Sequence, residues 1–283
     1  MSIYKPSVLK EFLRFSHTHP KKALSQNFLI DGNIVHKIIT TAQIQAGDMV
    51  LEIGPGPGAL TEALLEKGAI VTAIEKDFVF AEQLYRLKDL GNLTIQREDF
   101  LLFNLKKFLD SKENKIKVVA NLPYHITTPI LLTLLPHYDK IESLTVMVQK
   151  EYADRMVAPS KTPDYSHLSL LVSFFCQAKL TFIINPSCFF PRPKIRSAIV
   201  YCKLNPPALN DDIDAFFFLT RSAFQQKRKM LRSSLKSLAS REQIEQVLQS
   251  MNLPITSRPE ELGLQEFISL FKQIKTVCLP KRS

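Results

Sequence analysis

No stretch of this 283-residue chain is apolar for long enough to cross a membrane, which takes ~18–20 residues. The longest apolar run, 168–176, is broken by Ser169 and Ser173. The first twenty residues carry Lys5, Lys10, Glu11 and Arg14 and no apolar stretch, so a secretory signal is not expected. The four cysteines, Cys176, Cys188, Cys202 and Cys278, include no C-x-x-C pair. That argues against a disulfide framework or a thiolate metal site and leaves buried or idle thiols. His17, His19, His36, His125, His137 and His167 show no metal-ligand spacing either, and no metal is expected. There is no internal repeat and no low-complexity tract. These absences together describe a cytosolic protein.

What is present is a chain with 45% hydrophobic residues and a net charge of +10. The first is enough for a large domain plus a small one; the second points to an anionic partner, nucleic acid or a lipid surface. From residue 49 onward, short β-branched runs (49–53, 70–75, 93–97, 116–121, 143–148) alternate with helix-like stretches (59–67, 79–88, 127–135). Such alternation builds a parallel sheet covered by helices on both faces. Two later runs, 179–184 and 198–204, are separated by a loop holding Pro186, Pro191 and Pro193, a connection that suits an antiparallel pair. The expected fold is α/β: a Rossmann-like, seven-stranded, mostly parallel sheet. Composition shifts at Leu204-Asn205-Pro206-Pro207, which reads as a linker. Beyond it the signals are helical only. Asp211 or Asp212 could cap a helix through Phe216, Phe217, Leu219 and Phe224, and Ser240-Arg241-Glu242-Gln243 is a capping box ahead of Ile244, Val247 and Leu248. The expected domains are 1–205 and a small all-α domain, 206–283.

The sharpest local signal is Leu51-Glu52-Ile53-Gly54-Pro55-Gly56-Pro57-Gly58, at the exit of an apolar strand and the start of a helix. Glycines there let a ligand approach the backbone. The spacing is G-x-G-x-G, whereas a dinucleotide site prefers G-x-G-x-x-G. Glu52 is ill suited to a pyrophosphate and well suited to a cofactor with a cationic amino-acid end, such as S-adenosylmethionine. Glu75 ends the next strand, where a carboxylate can accept both ribose hydroxyls, and Asp99 follows the third, where an acid can accept from an adenine amine.

Asn121-Leu122-Pro123-Tyr124 closes the fourth strand. An exocyclic adenine amine is a poor nucleophile because its lone pair is delocalised into the ring. Its alkylation needs acceptors for its N–H bonds: the Asn121 amide oxygen and a backbone carbonyl, that of Leu122. Pro123 stiffens the turn, and Tyr124 can stack on a flipped-out base.

With these motifs the chain resembles the bacterial small-subunit rRNA adenine N6,N6-dimethyltransferases and their archaeal and eukaryotic relatives. These are class I methyltransferases, and the resemblance runs over nearly the whole sequence. Ser25-Gln26-Asn27-Phe28-Leu29 resembles the family's G-Q-N-F-L. The resemblance implies that Asn27 and Leu29 contact S-adenosylmethionine, as do Gly54, Glu75, Asp99 and Asn121; the glycine turn itself adds Glu52, Gly56 and Gly58 to the expected cofactor site. Phe189-Phe190-Pro191-Arg192-Pro193-Lys194-Ile195-Arg196-Ser197 resembles F-x-P-x-P-K-V-x-S and makes Phe189 the second aromatic wall of the base pocket. Arg196 stands where an acid is common, and Tyr165-Ser166 stands where Tyr-Gly is usual. Gln149-Lys150-Glu151 with Arg155, Phe224-Gln225-Gln226-Lys227-Arg228-Lys229-Met230-Leu231 and Arg258-Pro259-Glu260-Glu261-Leu262 match further signatures. The implied substrate is a pair of adjacent adenosines in the 3′-terminal hairpin of 16S rRNA, met in an immature small subunit by a monomeric enzyme.

The acid-free stretch holding Arg221, Lys227, Arg228, Lys229, Arg232, Lys236 and Arg241 is expected to grip phosphates, with Lys5, Lys10, Arg14, Lys21 and Lys22 adding to it. Three other readings stand beside this one. They are the related 23S rRNA adenine methyltransferases, which usually carry Ile after the Asn of N-x-P-Y; a non-catalytic ribosome-assembly factor; and a NAD-dependent oxidoreductase, disfavoured by the glycine spacing and Glu52.

Overall fold

A computed structural model of the chain describes residues 2–21, 24, 26–209, 212–226 and 229–278, the side chains of 277 and 278 excepted. Lys22, Ser25, Asp211, Lys227 and Arg228 and the side chain of Cys278 lie outside them. The β-branched runs zip into one sheet. After a two-residue strand β1 (Phe28–Leu29) come β2 (Met49–Ile53), β3 (Ile70–Ile74), β4 (Leu93–Gln96), β5 (Ile116–Asn121), β6 (Ile141–Gln149), β7 (Cys176–Ile184), β8 (Phe189–Phe190) and β9 (Ser197–Leu204). β1 pairs only with β8; the other seven run in the order β4-β3-β2-β5-β6-β9-β7. β2 to β6 are parallel, and β9 lies antiparallel to both β6 and β7. This is the expected fold. Strands buried on both faces carry unbroken apolar runs, and Val118, Val119, Val146 and Val148 are fully buried. Successive crossovers go one way from β2 to β4 and the other way from β5 to β6. The switch between β2 and β5 opens a crevice at the carboxyl ends of these strands, where open α/β sheets take ligands.

The helices in this part of the chain are α1 (Pro6–Phe15), α2 (Gly32–Thr41), α3 (Ala59–Glu66), α4 (Phe78–Gln83), α5 (Leu105–Asp110), α6 (Thr127–Leu134) and α7 (Lys150–Val157). α1 is fastened by aromatic contact: the Phe80 ring is stacked 6.4 Å from Phe12 and meets Phe28 edge-on at 5.1 Å. The buried rings of Phe28 and Phe80 each contribute roughly 1.5–3 kcal/mol by leaving water. The helix expected over 79–88 is α-helical only to Gln83 and continues as a 3-10 helix over Leu84–Leu90. Three residues per turn bring Leu84 and Leu87 onto one line, and both face Gly58.

By its contacts the chain forms two units, Met1–Ala153 with Cys176–Pro206, and Asp154–Phe175 with Pro207–Ser283. The expected division at 205/206 is therefore corrected: residues 154–175, placed by sequence in the first domain, belong to the second. The reason is aromatic. α8 (His167–Phe175) carries Phe174 and Phe175, and α9 (Ile213–Phe224) carries Phe216 and Phe217. Phe174 stacks on Phe216 and Phe175 on Phe217, at 5.0 and 5.7 Å. α10 (Leu231–Ser234), α11 (Arg241–Ser250) and α12 (Leu264–Cys278) complete this unit. The Ser240 capping box on α11 forms with Gln243, and Ile244, Val247 and Leu248 are buried. Asp212 stands at the N-cap of α9, where its carbonyl accepts from the Phe216 N–H, but its side chain makes no capping bond. It is left-handed, and its carboxylate pairs with Lys275. Ser166 has no positive φ, so the glycine usual there is not required by the backbone.

Gly58 is the N-cap of α3 at φ +93°, and a Cβ there would stand 2.8 Å from Leu84 and 2.9 Å from Leu87. Gly58→Ala would add the left-handed cost of roughly 1–2 kcal/mol to overpacking of two buried leucines. Urea denaturation is expected to show a loss of about 2 kcal/mol or more. A midpoint equal to that of the parent chain would mean that the leucines yield without cost.

Candidate active site

A cavity opens at the β2/β5 switch. Its walls include Asn27, Leu29, Glu52, Gly54, Gly56, Glu75, Asp99 and Asn121, eight of the nine residues proposed from sequence to hold the cofactor. Gly58 is the ninth and is not on the wall; its missing Cβ makes room for Leu84 and Leu87, so its role is in packing. Gly54 and Gly56 both have positive φ, +67° and +55°. A Cβ on Gly54 would meet nothing nearer than the Asn121 carbonyl at 4.0 Å, which leaves that stretch of backbone open to the cavity.

Two buried carboxylates organise this end. Glu75 accepts from the Gly56 N–H at 2.8 Å and from the Asp77 N–H at 2.7 Å, so the acid that follows β3 clamps the glycine loop that follows β2. Burial raises its pKa, and the backbone donors oppose the rise. Glu52 is 1% exposed. One oxygen accepts from the Thr61 hydroxyl at 2.7 Å, and the other is buried without a hydrogen-bond partner. Burial, with the Glu75 charge adding to it, pushes Glu52 up to about 8. A buried carboxylate oxygen left unsatisfied is costly, and a ligand ammonium is the kind of group that would satisfy it. The pair of acceptor carboxylates thus fits a cofactor with a cationic amino-acid end and a ribose.

The far end is built by Asn121, Leu122, Pro123 and Tyr124, which all line the cavity, as does His125. Asn121 Nδ2 donates to the Asn27 carbonyl at 3.1 Å. That bond sets the amide's orientation and leaves Oδ1 as its acceptor end. Leu122 donates its N–H to the Met147 carbonyl, locking the turn to β6. The Pro123 carbonyl is taken by the Ile126 N–H and the Thr127 hydroxyl. Tyr124 is half-buried, and its hydroxyl lies 2.7 Å from the Ser197 hydroxyl. Burial pushes the phenol pKa up, against the effect of that hydrogen bond.

The remaining candidates fare differently. Asp99 lies on the wall, with one oxygen paired to Lys76 Nζ at 2.8 Å and the other accepting from the Leu101 N–H; the Lys76 hydrogen bond holds its carboxyl below the usual range. Phe189 is not brought to the cavity. It pairs with Leu29 across the β1–β8 ladder and is 3% exposed within the hydrophobic core, because alternate side chains of a strand face opposite ways. Sequence reasoning missed Lys76, Phe28, Leu101 and Thr61. Phe28 packs 3.1 Å from where a Gly56 Cβ would stand, and its place inside the Gln26-Asn27-Phe28-Leu29 segment was the available signal. Arg196 is exposed, and its carbonyl accepts from Lys150. In the helical unit Arg221, Lys229 and Lys236 are exposed, whereas Arg232 is tied to Glu245 at 2.7 Å. Among the described residues no group of three His, Cys, Asp or Glu could hold a metal ion, and no helix is long and apolar enough to cross a membrane.

Comparison with known proteins bears on this geometry. The chain is 47% identical over 278 residues to ribosomal RNA small subunit methyltransferase A of Protochlamydia amoebophila, covering 97% of this chain and 98% of that one. It is 43% identical over 275 residues to the protein of the same name from Chlamydia trachomatis, covering 95% and 97%. The crystal structure of a dimethyladenosine transferase from Plasmodium falciparum superposes with a TM-score of 0.74 at 28% identity, over 86% of this chain and 95% of that one. A 23S rRNA methyltransferase, ErmE, shares the fold with a TM-score of 0.67 at 24% identity, over 88% and 100%. A model of the family described as ribosomal RNA adenine dimethylase matches residues 18–275. Near-complete coverage, together with a cavity that joins the glycine loop to Asn121-Leu122-Pro123-Tyr124, shows that the chain belongs to the ribosomal RNA adenine dimethylase family.

Proposed function

We infer that the chain dimethylates the N6 amino groups of adenines in small-subunit rRNA with S-adenosylmethionine as methyl donor. The carrying observation is a single cavity with Glu52 and Glu75 at one end and the Asn121–Tyr124 turn at the other. The cofactor supplies an electrophilic methyl on a sulfonium. On this reading Glu52 meets the amino-acid ammonium, Glu75 the ribose hydroxyls and Asp99 the adenine amine, with Asn27, Leu29, Gly54 and Gly56 as walls. The target base stacks on Tyr124. Its amine donates to Asn121 Oδ1 and to the Leu122 carbonyl, which draws the nitrogen lone pair out of the ring. Asn121 is neutral and abstracts no proton; the proton leaves once the amine has been alkylated. The finer substrate is two adjacent adenosines of the 3′-terminal hairpin of 16S rRNA, in an immature small subunit, in the cytoplasm, and the enzyme acts as a monomer. Phosphates are gripped by Arg221, Lys229 and Lys236, with Lys227 and Arg228 in the same stretch; Arg232 is occupied by Glu245.

Incubation with labelled cofactor and undermodified small subunits, followed by mass spectrometry of the digested rRNA, should place dimethyladenosine at that pair. Dimethyladenosine elsewhere would move the substrate. In the same assay at saturating cofactor, Asn121→Ala should slow turnover about 10²–10³-fold, the usual scale for losing one transition-state hydrogen bond. Asn121→Asp should shift product towards monomethyladenosine, because a charged acceptor tolerates a methylated amine less well.

Cofactor binding should be linked to pH through Glu52. With its pKa near 8 in the ligand-free site, Glu52 is mostly protonated at neutral pH, whereas an ammonium favours the carboxylate. Binding of S-adenosylhomocysteine should therefore release a proton near pH 7, tighten as pH rises, and level off above about 8. Calorimetry in two buffers of unlike ionisation enthalpy reads this directly. Equal heats in both, or proton release surviving in Glu52→Gln, would assign the ammonium to another group.

Charge reversal of Lys229 and Lys236 to Glu should weaken binding to the small subunit. The slope of log affinity against log salt should fall by about one for each phosphate no longer neutralised. S-adenosylhomocysteine affinity should stay at its parent value. A parallel loss of both would indicate unfolding.

A further inference from the structure

The Pro-rich loop between β8 and β9 ends in Ser197, which touches Tyr124, a residue of the cavity wall. Ser197 is fully buried. It opens β9, the strand held between two neighbours, and pairs with Gln149 of β6 on one side and Ile184 of β7 on the other. Its backbone is therefore fixed by ladders on both sides. Its hydroxyl lies 2.7 Å from the Tyr124 hydroxyl. Tyr124 itself sits in a short 3-10 turn, Tyr124–Ile126. The bond to Ser197 is what anchors the far end of the phenol.

We propose that Ser197 is a positioning residue for methyl transfer, its hydroxyl holding the Tyr124 ring in the plane on which the target adenine stacks. This rests on the reading that Tyr124 faces the base. A ring held in advance spares the bound base the search for a stacking plane, so more of the bound complex has the amine in line with the methyl group. The hydroxyl pair moves no proton in the reaction. It does explain why a phenol, whose oxygen has no chemical task, stands where a phenyl ring would give the same stacking face. Ser197 is not on the cavity wall, so the effect should appear in base handling and leave the cofactor untouched.

The test is a double-mutant cycle on undermodified small subunits with labelled S-adenosylmethionine. Ser197→Ala and Tyr124→Phe each delete the same hydrogen bond. Each should lower turnover about three- to tenfold, the scale of one such bond. The double variant should fall no further than either single one, and S-adenosylhomocysteine affinity should match the parent in all three. Ser197→Thr, which keeps the hydroxyl, should recover most of the rate. Losses that multiply in the double variant, or Tyr124→Phe at the parent rate, would overturn the proposal. The second of these stands even if the buried Ser197→Ala variant fails to fold. Tyr124→Ala separates this idea from the reading beneath it. Full activity there removes Tyr124 from the base site altogether. Inactivity there, with Tyr124→Phe and Ser197→Ala at full rate, removes only the positioning role of Ser197.

Discussion

The clamp between Glu75 and the amide of Gly56 is the constraint on which the rest of the site depends. It ties the residue that follows β3 to the loop leaving β2, two segments the chain could otherwise place independently. The glycine loop can then hold left-handed residues at Gly54 and Gly56 without collapsing into the cavity. Positive φ at these two positions is what turns the chain sharply enough to start α3 beside the sheet end. The first turn of α3 delivers Thr61 to Glu52. Two acids, one glycine loop and one helix start thus form a single hydrogen-bonded assembly, built of groups that burial alone would make unfavourable.

The other wall comes from far away in the sequence. The Asn27 carbonyl takes the Asn121 amide, Gln26 donates to Asp77, and Lys21 pairs with Asp77. An N-terminal segment is thereby stitched to the ends of both halves of the sheet. Asp77, also the N-cap of α4, joins that segment to the next turn after Glu75. The cavity is closed by polar stitches at its rim and by Phe28 at its floor, where the ring rests on Gly56.

Much of this arrangement is legible in the sequence. Strand periodicity located β2 and β5 to the residue, because runs such as Val50-Leu51 and Val118-Val119 are buried on both faces and leave no ambiguity with loops. The glycine loop, Glu75 and Asn121-Leu122-Pro123-Tyr124 were legible because each is a local pattern at a strand end. What was not legible depends on distance. Nothing in 154–175 says that Phe174 and Phe175 pack with Phe216 and Phe217, since α8 is buried over most of its surface and has too little polar face to indicate its partner. Phe189 was expected at the base pocket because its loop resembles F-x-P-x-P-K-V-x-S, but the two-residue β1–β8 ladder seats it in the core, and the end of that loop reaches Tyr124 through the Ser197 hydroxyl. Gly58 looked like a third ligand-facing glycine, though its missing Cβ serves two leucines about thirty residues further along the chain. Asp212 holds the N-cap position it was expected to hold, but with a left-handed backbone and its carboxylate on Lys275 and not on the helix amides.

The anchored amide of Asn121 carries a consequence for which base can be accepted. One N–H of its amide is held by the Asn27 carbonyl, which fixes the amide so that on the proposed reading its oxygen is turned towards the substrate, with the Leu122 carbonyl beside it. A site edged by two such oxygens has one polarity. It attracts an exocyclic amine and repels a keto oxygen, which would set lone pair against lone pair with no water to intervene. Guanine and uracil carry a keto group at the edge where adenine carries its amine, as does the deamination product of adenine. A free asparagine could flip and offer its NH₂ to such a base; this one is prevented from doing so by a bond to a residue 94 positions earlier. On the proposed reading the N-terminal segment would thereby filter base identity without touching the base.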